Sequence, residues 1–133
     1  MVPDKFIKDK FPAYYNSLTC ECPHIDALEQ DVAALRFCEG DSVTPDDFRS
    51  YYQLGKDSDA NKPGHYSVSM APTIEAAHKL QKKFPPFIDK KLAKGQIKGH
   101  YGPSLLNKRK DHIDWWLYEN SEPWHDFTMI DGQ

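Results

Sequence analysis

The stretch richest in reactive side chains lies near the end of the chain, at residues 111–127, DHIDWWLYENSEPWHDF. It holds all three tryptophans, two histidines and five carboxylates, and it has no lysine or arginine. If residues 112–118 form a β-strand, alternation places His112, Asp114, Trp116 and Tyr118 on one face. An imidazole there could exchange protons, and an indole could stack on a planar ring. We therefore predict His112 and Asp114 as candidate catalytic residues, with Trp116 and Tyr118 as candidate ligand contacts.

The alternative for this face is purely structural. Trp116 would then pack beneath a helix, while His112 and Asp114 would lie at the solvated edge of the sheet. The opposite face, with Ile113, Trp115 and Leu117, is predicted to be core in either interpretation.

A second candidate is the turn GHYGPS at residues 99–104, where two glycines and a proline restrict the backbone. Exposed N–H groups in such a turn can bind an anion. If residues 97–106 pair with residues 112–118, His100 could approach His112, which makes His100 a third catalytic candidate. The glycine spacing is not that of a P-loop, and a structural turn flanked by solvated lysines is the alternative. The predicted ligand contacts in this region are Lys98, Tyr101, Lys108, Arg109 and Lys110.

Arg36 and Arg49 are the only basic residues between residues 16 and 53, where acidic residues predominate. A guanidinium can bind a phosphate or carboxylate through two hydrogen bonds. Arg36 is therefore predicted to contact a ligand, although ordinary salt bridges are the alternative for both arginines.

The order of three features resembles that of ADP-ribosyltransferase-type folds. Arg36 lies at the end of an early strand, and the serine-bearing strand Tyr66–Met70 and then a helix follow it. The resemblance covers about a third of the chain. It implies a catalytic glutamate as a third element, for which Glu119 and Glu122 are conceivable. No G-x-S-x-G motif accompanies Ser67 or Ser69, so a serine nucleophile is not predicted.

Cys20, Cys22 and His24 resemble half of a zinc site. The usual C-x₂-C spacing is missing, however, and no second close pair of ligands follows. We regard these three residues as weak candidates, and we expect neither a metal site nor a cofactor. The odd and sparse set of three cysteines fits free thiols in a reducing cytoplasm.

The chain has 133 residues, which is the size of one domain, and its 39% hydrophobic content supports a packed core. Its net charge of -3 is segregated along the sequence. Residues 79–110 contain ten bases and one acid, whereas residues 111–133 contain six acids and no lysine or arginine. This asymmetry indicates an anionic partner for the basic segment, unless neighbouring acidic segments neutralise it. No apolar run is long enough to span a membrane.

The elements that must position these residues are short. Together they predict a single α+β domain over residues 1–133, with a peripheral segment of about 12 residues at its N-terminus and a flexible loop at 56–64. The predicted elements are helices at 24–37 (or a strand at 33–38), 45–54, 73–84 and 87–94, strands at 65–70 and 104–106, and a C-terminal hairpin of 112–118 with 124–130. The first helix is indicated by an apolar stripe of Ile25, Leu28, Val32 and Leu35. Thr73 caps the third helix, and Gly55 and Gly95 end the second and the fourth.

Two functional hypotheses follow. In the first, a small binding or interaction protein uses the basic segment 79–110 and the adjacent aromatic and histidine face of residues 112–118 to bind an acidic protein surface, nucleic acid or nucleotide. In the second, a small enzyme acts on a nucleotide or phosphorylated substrate, in the manner of an ADP-ribosyltransferase, with His100 or His112 as acid or base. A pI of about 6.0 is low for a dedicated nucleic-acid binder. The oligomeric state is not predicted.

Overall fold

The computed structural model describes residues 1–130. These residues form a single α+β domain with two short helices and two antiparallel sheets, which confirms the predicted fold class. The helices are α1 (Tyr51–Leu54) and α2 (Ile74–Lys83). The strands are β1 (Val32–Cys38), β2 (Val68–Met70), β3 (Lys91–Ile97), β4 (Ser104–Asn107), β5 (His112–Trp115) and β6 (Phe127–Met129).

The two sheets contain three strands each, in the orders β1-β3-β6 and β2-β5-β4. One backbone bridge links them, where Leu35 of β1 and Ala71 after β2 exchange two backbone hydrogen bonds of 2.8 Å. Beside this bridge, a cavity lined by residues of β1 and β2 lies between the two strands.

The C-terminal hairpin consists of β4 and β5, joined by a turn at residues 108–111. The predicted pairing of 112–118 with 124–130 is therefore wrong in its partner. The pairing of 97–106 with 112–118, which the sequence left as a possibility, forms a ladder only between residues 104–107 and 112–115. The chain leaves β5, turns at residues 118–121, and crosses to the other sheet, where β6 pairs with β3.

Gly95 explains why β6 can approach β3 so closely. A Cβ atom at Gly95 would lie 2.2 Å from the Asp126 carbonyl oxygen and 2.7 Å from the Phe127 ring. The sequence suggested that Gly95 ends a helix at 87–94, and this prediction is wrong. Instead, Pro85–Phe87 forms one 3-10 turn, and β3 then begins at Lys91.

The predicted helix at 24–37 is also wrong, and its alternative, a strand at 33–38, is confirmed by β1. The periodic apolar stripe that suggested the helix is buried only at Leu35, since Ile25 is 44% exposed, Leu28 56% and Val32 36%. Leu35 instead packs against Ala77 of α2 and Leu92 of β3.

Capping residues explain the helical segments. The predicted helix 45–54 is divided into a 3-10 turn, Pro45–Phe48, and α1, because Thr44 and Ser50 each begin a separate capping box. Gly55 ends α1 in the left-handed conformation, with φ of 68°. The Thr73 hydroxyl accepts a hydrogen bond from the Ala76 N–H and begins α2, as the sequence predicted.

Buried side chains form separate clusters on the two faces of β5. Trp115 is fully buried in the main core, with residues from both sheets such as Met70, Ile97 and Phe127. Trp116 faces the other way and is covered by the N-terminal segment through Phe11 and Tyr15. The N-terminal residues thus close one end of the face that carries Asp114, and they leave its other end open.

Among residues 1–130, no helix is long and apolar enough to cross a lipid bilayer.

Candidate functional site

A cavity of about 730 Å³ opens where the two sheets separate. We call it the Arg36 cleft. Its walls are β1, β2, the segment Thr44–Lys56 and the end of α2, and its polar lining includes Arg36, Ser67, Ser69 and His112. The volume lies within the range of about 300–1,000 Å³ that is usual for small-molecule sites.

Arg36 extends across the gap between the sheets. Its Nη1 donates to the Ser69 carbonyl oxygen at 2.7 Å, and its Nε donates to the Asp47 carbonyl oxygen at 2.5 Å. Two backbone groups from different elements therefore hold the guanidinium in place. Burial lowers the pKa of Arg36, but a guanidinium stays protonated in proteins at neutral pH.

The charge of Arg36 is not neutralised by an ion pair with any described residue. The nearby Asp47 carboxylate instead accepts hydrogen bonds from the Thr44 N–H at 2.8 Å and the Glu39 N–H at 3.2 Å. Because hydration is reduced at this half-buried position, an unpaired guanidinium there favours an anionic ligand.

The other charged residues of the cleft largely pair with each other. Arg49 contacts Asp46 at 2.9 Å, and Lys90 contacts Glu39 at 3.0 Å. Lys56 also lines the cleft and forms no ion pair with a described residue. With the unpaired Asp47 carboxylate counted as well, the lining has four basic and three acidic side chains, which leaves an excess of one positive charge.

A hydrogen-bonded group of three side chains lies on the β2–β5 side of the cleft. The Asp114 carboxylate Oδ1 is 2.9 Å from His112 Nε2 and accepts a hydrogen bond from the Ser67 hydroxyl at 2.7 Å. Strand geometry explains the grouping. Ser69 is the direct partner of Asp114 across β2 and β5, and Ser67 lies two residues before Ser69, whereas His112 lies two residues before Asp114. His112 and Ser67 line the cleft, and Asp114 lies behind them.

The protonation of this group follows from its geometry. Burial raises the pKa of Asp114, but hydrogen bonds from His112 and Ser67 and the charge of Lys110 outweigh burial, so the pKa lies below its ordinary value. An ionised carboxylate only accepts, so the proton of a neutral His112 is on Nε2. Nδ1 then has a free lone pair, and no described residue forms a hydrogen bond with it.

The group can orient an acid–base histidine, but it is not a Ser-His-Asp triad. Ser67 bonds to the carboxylate instead of the imidazole, so no base is placed to activate its hydroxyl. Asp114 fixes the His112 tautomer and would stabilise the imidazolium that forms when Nδ1 accepts a proton.

Apolar side chains also line the Arg36 cleft, and we call those from α2 and the following 3-10 turn its aromatic wall. Leu80 and Phe84 come from α2, Phe87 from the following 3-10 turn, and Leu54 from α1. Phe84 is 44% exposed and Leu54 is 41% exposed. A cleft with a cationic end and an exposed aromatic wall suits a ligand that combines an anionic group with a planar ring.

Arg36, His112 and Asp114 are the predicted residues that the structure brings together. His100 does not join them, although the hairpin that was expected to bring it near His112 does form. The register pairs His112 with Asn107, whereas Tyr118 N–H bonds to the Tyr101 carbonyl. His100 therefore lies beyond the far end of β5, exposed to solvent.

The predicted aromatic contacts do not reach the cleft. Trp116 is 1% exposed, and its indole N–H donates to the Pro63 carbonyl oxygen at 2.9 Å, so its ring is a core element. The Tyr118 hydroxyl donates to Glu29, and burial followed by this hydrogen bond raises the pKa of Tyr118. Tyr101 packs against the main core.

The predicted basic contacts are also elsewhere. Lys108, Arg109 and Lys110 are exposed in the β4–β5 turn, and Lys98 follows the end of β3. None of them lines the cleft. The resemblance to ADP-ribosyltransferase-type folds implied a catalytic glutamate, for which Glu119 and Glu122 were the candidates. Both residues lie outside the cleft as well.

The cysteine and histidine residues that were weak metal candidates do not form a ligand set. Cys22 is fully buried, and the Nδ1 of His24 accepts a hydrogen bond from the Asp26 N–H at 3.0 Å. Among residues 1–130, no group of three or more His, Cys, Asp or Glu side chains could hold a metal ion.

Sequence reasoning missed the position of Ser67, which precedes β2, of Ser69 in β2, and of the aromatic wall from α2. Ser67 and Ser69 alternate with buried Val68 and Met70, which predicts a shared face but not its neighbours. The role of Phe84 carried no sequence signal, since apolar residues at helical spacing usually pack in the core.

No family model, curated protein or solved structure matches this chain at a significant level.

Proposed function

We propose that this domain binds NAD in the Arg36 cleft and transfers the ADP-ribosyl group to water or to an acceptor hydroxyl. One observation carries the proposal: an unpaired guanidinium, Arg36, faces the same cleft as an oriented histidine, His112. Convergence of an anion-binding group with an acid–base group is what distinguishes an enzyme site from a binding patch.

Arg36 would bind the diphosphate of NAD. Its guanidinium is held by two backbone carbonyls and forms no ion pair with a described carboxylate. Lys56, also without an ion pair, adds positive charge to the cleft. A planar, pre-oriented guanidinium is well suited to oxygen pairs on phosphates.

The aromatic wall would hold one of the two bases. Phe84 and Phe87 stand 6.3 Å apart with nearly perpendicular rings, and the exposed Phe84 ring offers a surface for an adenine or nicotinamide ring.

His112 would act as the general base for the incoming group. The bond that breaks joins ribose C1 to a positively charged pyridinium nitrogen, so nicotinamide leaves neutral and needs no proton. A bond forms between C1 and the oxygen of water or an acceptor hydroxyl, and the proton of that oxygen passes to His112 Nδ1. Asp114 stabilises the resulting imidazolium.

The resemblance to ADP-ribosyltransferase-type folds supports this proposal. The residues that carry it, Arg36 and the serine-bearing strand, are neighbours, since Arg36 Nη1 bonds to Ser69. The glutamate that the resemblance implies has no counterpart in the cleft, where Asp114 and His112 stand instead. Nicotinamide is released whether the acceptor is water or a hydroxyl, so its release is the readout that tests the proposal.

The direct experiment incubates the purified protein with NAD and measures released nicotinamide by chromatography. Calorimetry measures the binding of NAD and ADP-ribose. We expect binding and slow nicotinamide release, both lost in Arg36→Gln, with release alone lost in His112→Ala. Arg109→Gln, a change in the exposed β4–β5 turn, is the matched control and should behave as wild type. The proposal is wrong if neither NAD nor ADP-ribose binds, or if Arg36→Gln binds both normally.

A second proposal keeps the interaction hypothesis for the basic segment. It is supported by the exposed run Lys108–Lys110 at the tip of the β4–β5 hairpin, where a polyanion or an acidic protein surface could bind. Charge reversal of these three residues should abolish retention on heparin at low salt. Unchanged retention would refute it.

For either function we propose a cytoplasmic location, which the three free thiols support.

A further inference from the structure

Most of the surface that lines the Arg36 cleft is apolar. Leu35 and Met70 contribute to it from β1 and β2, Leu54 from α1, and Leu80 and Phe84 from α2. Leu54 is 41% exposed and Phe84 is 44% exposed, so part of this lining is open to solvent. A ligand that covers such a surface gains free energy in proportion to the apolar area removed from water. Leucine and methionine side chains are also flexible enough to pack along an alkyl chain.

The Arg36 guanidinium still has donors for a ligand. Its Nε and Nη1 donate to the Asp47 and Ser69 carbonyl oxygens, whereas its Nη2 forms no hydrogen bond with a residue of the described chain. Within residues 1–130, the Nδ1 of His65 is the only buried side-chain nitrogen or oxygen without a partner. The Nη2 of Arg36 is therefore accessible, and a carboxylate can reach it.

The charges of the lining match a ligand with one negative charge. Its four basic and three acidic side chains leave an excess of one positive charge. Arg36 and Lys56 form no ion pair with a described residue, and the same is true of the acidic Asp47. Three hydrogen bonds from Thr44 and Glu39 already engage the Asp47 carboxylate. A monoanion would neutralise the excess charge, whereas a neutral ligand would leave it uncompensated in a partly dehydrated cleft.

A second donor lies beside the guanidinium. Ser69 lines the cleft, and its carbonyl oxygen accepts the 2.7 Å hydrogen bond from Arg36 Nη1. The Ser69 hydroxyl forms no hydrogen bond with a described side chain, so it can donate to an oxygen bound at Arg36. The cleft thus combines one polar end with a larger apolar lining, as an amphipathic ligand requires.

We propose that the Arg36 cleft binds a long-chain carboxylate, the anion of a fatty acid. The carboxylate would lie at Arg36 and Ser69, and the alkyl chain would cover the apolar lining. This ligand goes beyond the proposed function and does not depend on it, since it needs neither NAD nor His112. Both ligands would use Arg36, however, so a fatty acid would compete with NAD for the cleft.

The experiment measures the binding of hexanoate, octanoate and decanoate to the protein by calorimetry, without NAD. Octanamide has the chain of octanoate with a neutral head group and is the matched uncharged probe. Arg36→Gln removes the guanidinium. Lys94→Gln is the control variant, because Lys94 is exposed on β3, forms no ion pair with a described residue and lies outside the cleft.

We expect affinity to rise about tenfold from hexanoate to octanoate and again from octanoate to decanoate. The reason is that each fully buried methylene raises affinity about fourfold. Octanamide should bind wild type at least about tenfold more weakly than octanoate does, and Arg36→Gln should lose a similar factor for octanoate. Lys94→Gln should bind all three carboxylates as wild type does.

The comparison of octanoate with octanamide uses wild type alone, so it tests the role of the charge even if Arg36→Gln does not fold. The proposal is overturned if decanoate does not bind at about 1 mM, if affinity does not increase with chain length, or if octanamide binds as well as octanoate. Normal octanoate binding by folded Arg36→Gln would also overturn it. Decanoate binding without NAD binding supports this proposal and contradicts the proposed function, whereas NAD binding without decanoate binding does the reverse.

Discussion

Arg36 Nη1 donates a 2.7 Å hydrogen bond to the Ser69 carbonyl oxygen across the gap where the two sheets separate. This bond does two things at once. It satisfies a carbonyl that has no β-ladder partner on that side, and it fixes a cationic group in the wall of the Arg36 cleft.

Arg36→Lys is expected to lower both stability and NAD binding. A lysine keeps the charge but has one donor group, which cannot serve the Ser69 and Asp47 carbonyls and a phosphate in the same geometry. We expect the free energy of unfolding to fall by about 1–3 kcal/mol and NAD affinity to fall at least about tenfold. Urea unfolding and calorimetry measure the two effects. Arg109→Lys should change neither, and normal NAD binding by Arg36→Lys would contradict the assignment.

The Asp114 carboxylate should make stability depend on pH in the acidic range. Its pKa in the folded protein lies below the ordinary value of 3.8, and the unfolded chain has a pKa of about 3.9. A depressed folded pKa contributes stability in full above the unfolded pKa, and that stability is lost as pH falls through the folded pKa. The free energy of unfolding of wild type should therefore exceed that of Asp114→Asn by about 1–2 kcal/mol at pH 7.

The difference between wild type and Asp114→Asn should shrink below about pH 4. Urea unfolding at several pH values measures it, and Asp57→Asn, a change at an exposed carboxylate, serves as the control that should show no such dependence. A difference that is constant from pH 7 to pH 2.5 would mean that the carboxylate is not held ionised by His112 and Ser67.

The sequence predicted well those features that depend on near neighbours. The Thr73 cap and the left-handed Gly55 each follow from a few adjacent residues. The shared face of His112 and Asp114 followed from alternation alone, and their side chains do meet at 2.9 Å.

Features that depend on distant parts of the chain were not predictable. The apolar stripe through Ile25, Leu28, Val32 and Leu35 has helical spacing, but β1 is selected by its seven-residue pairing with β3, and pairing overrides local preference. His100 does not lie near His112, because the register of β4 and β5 places it beyond the far end of β5. One sequence does not specify this register. The contact of Arg36 with β2 likewise needs the single bridge at Leu35 and Ala71.

Gly95→Ala is expected to destabilise the protein through the contact between β3 and β6. The added methyl would overlap the Asp126 carbonyl oxygen and the Phe127 ring, and Phe127 is 4% exposed, so it has little freedom to move. We expect a loss of about 1–3 kcal/mol in thermal or urea unfolding. Gly40→Ala meets nothing within 4 Å and should be nearly neutral. Equal stability of the two variants would contradict the β3–β6 pairing.

Phe84→Ala tests the aromatic wall of the Arg36 cleft. Phe84 is 44% exposed at the end of α2, so its removal should change stability by less than about 1 kcal/mol, as for other surface positions. If a planar base of NAD stacks on this ring, calorimetry should give an affinity about three- to tenfold weaker than wild type. Ile88→Ala is the matched control, since Ile88 is 67% exposed four residues later and does not line the cleft.

Comparing these two variants separates stacking from a general loss of apolar surface. Both remove an exposed apolar side chain next to the 3-10 turn Pro85–Phe87, so a non-specific effect on this region should appear in both. A specific role for the ring requires that Phe84→Ala loses affinity while Ile88→Ala retains it. If both variants bind NAD as wild type does while Arg36→Lys does not, the ligand is held by its phosphates alone, and the aromatic wall does not contact a base.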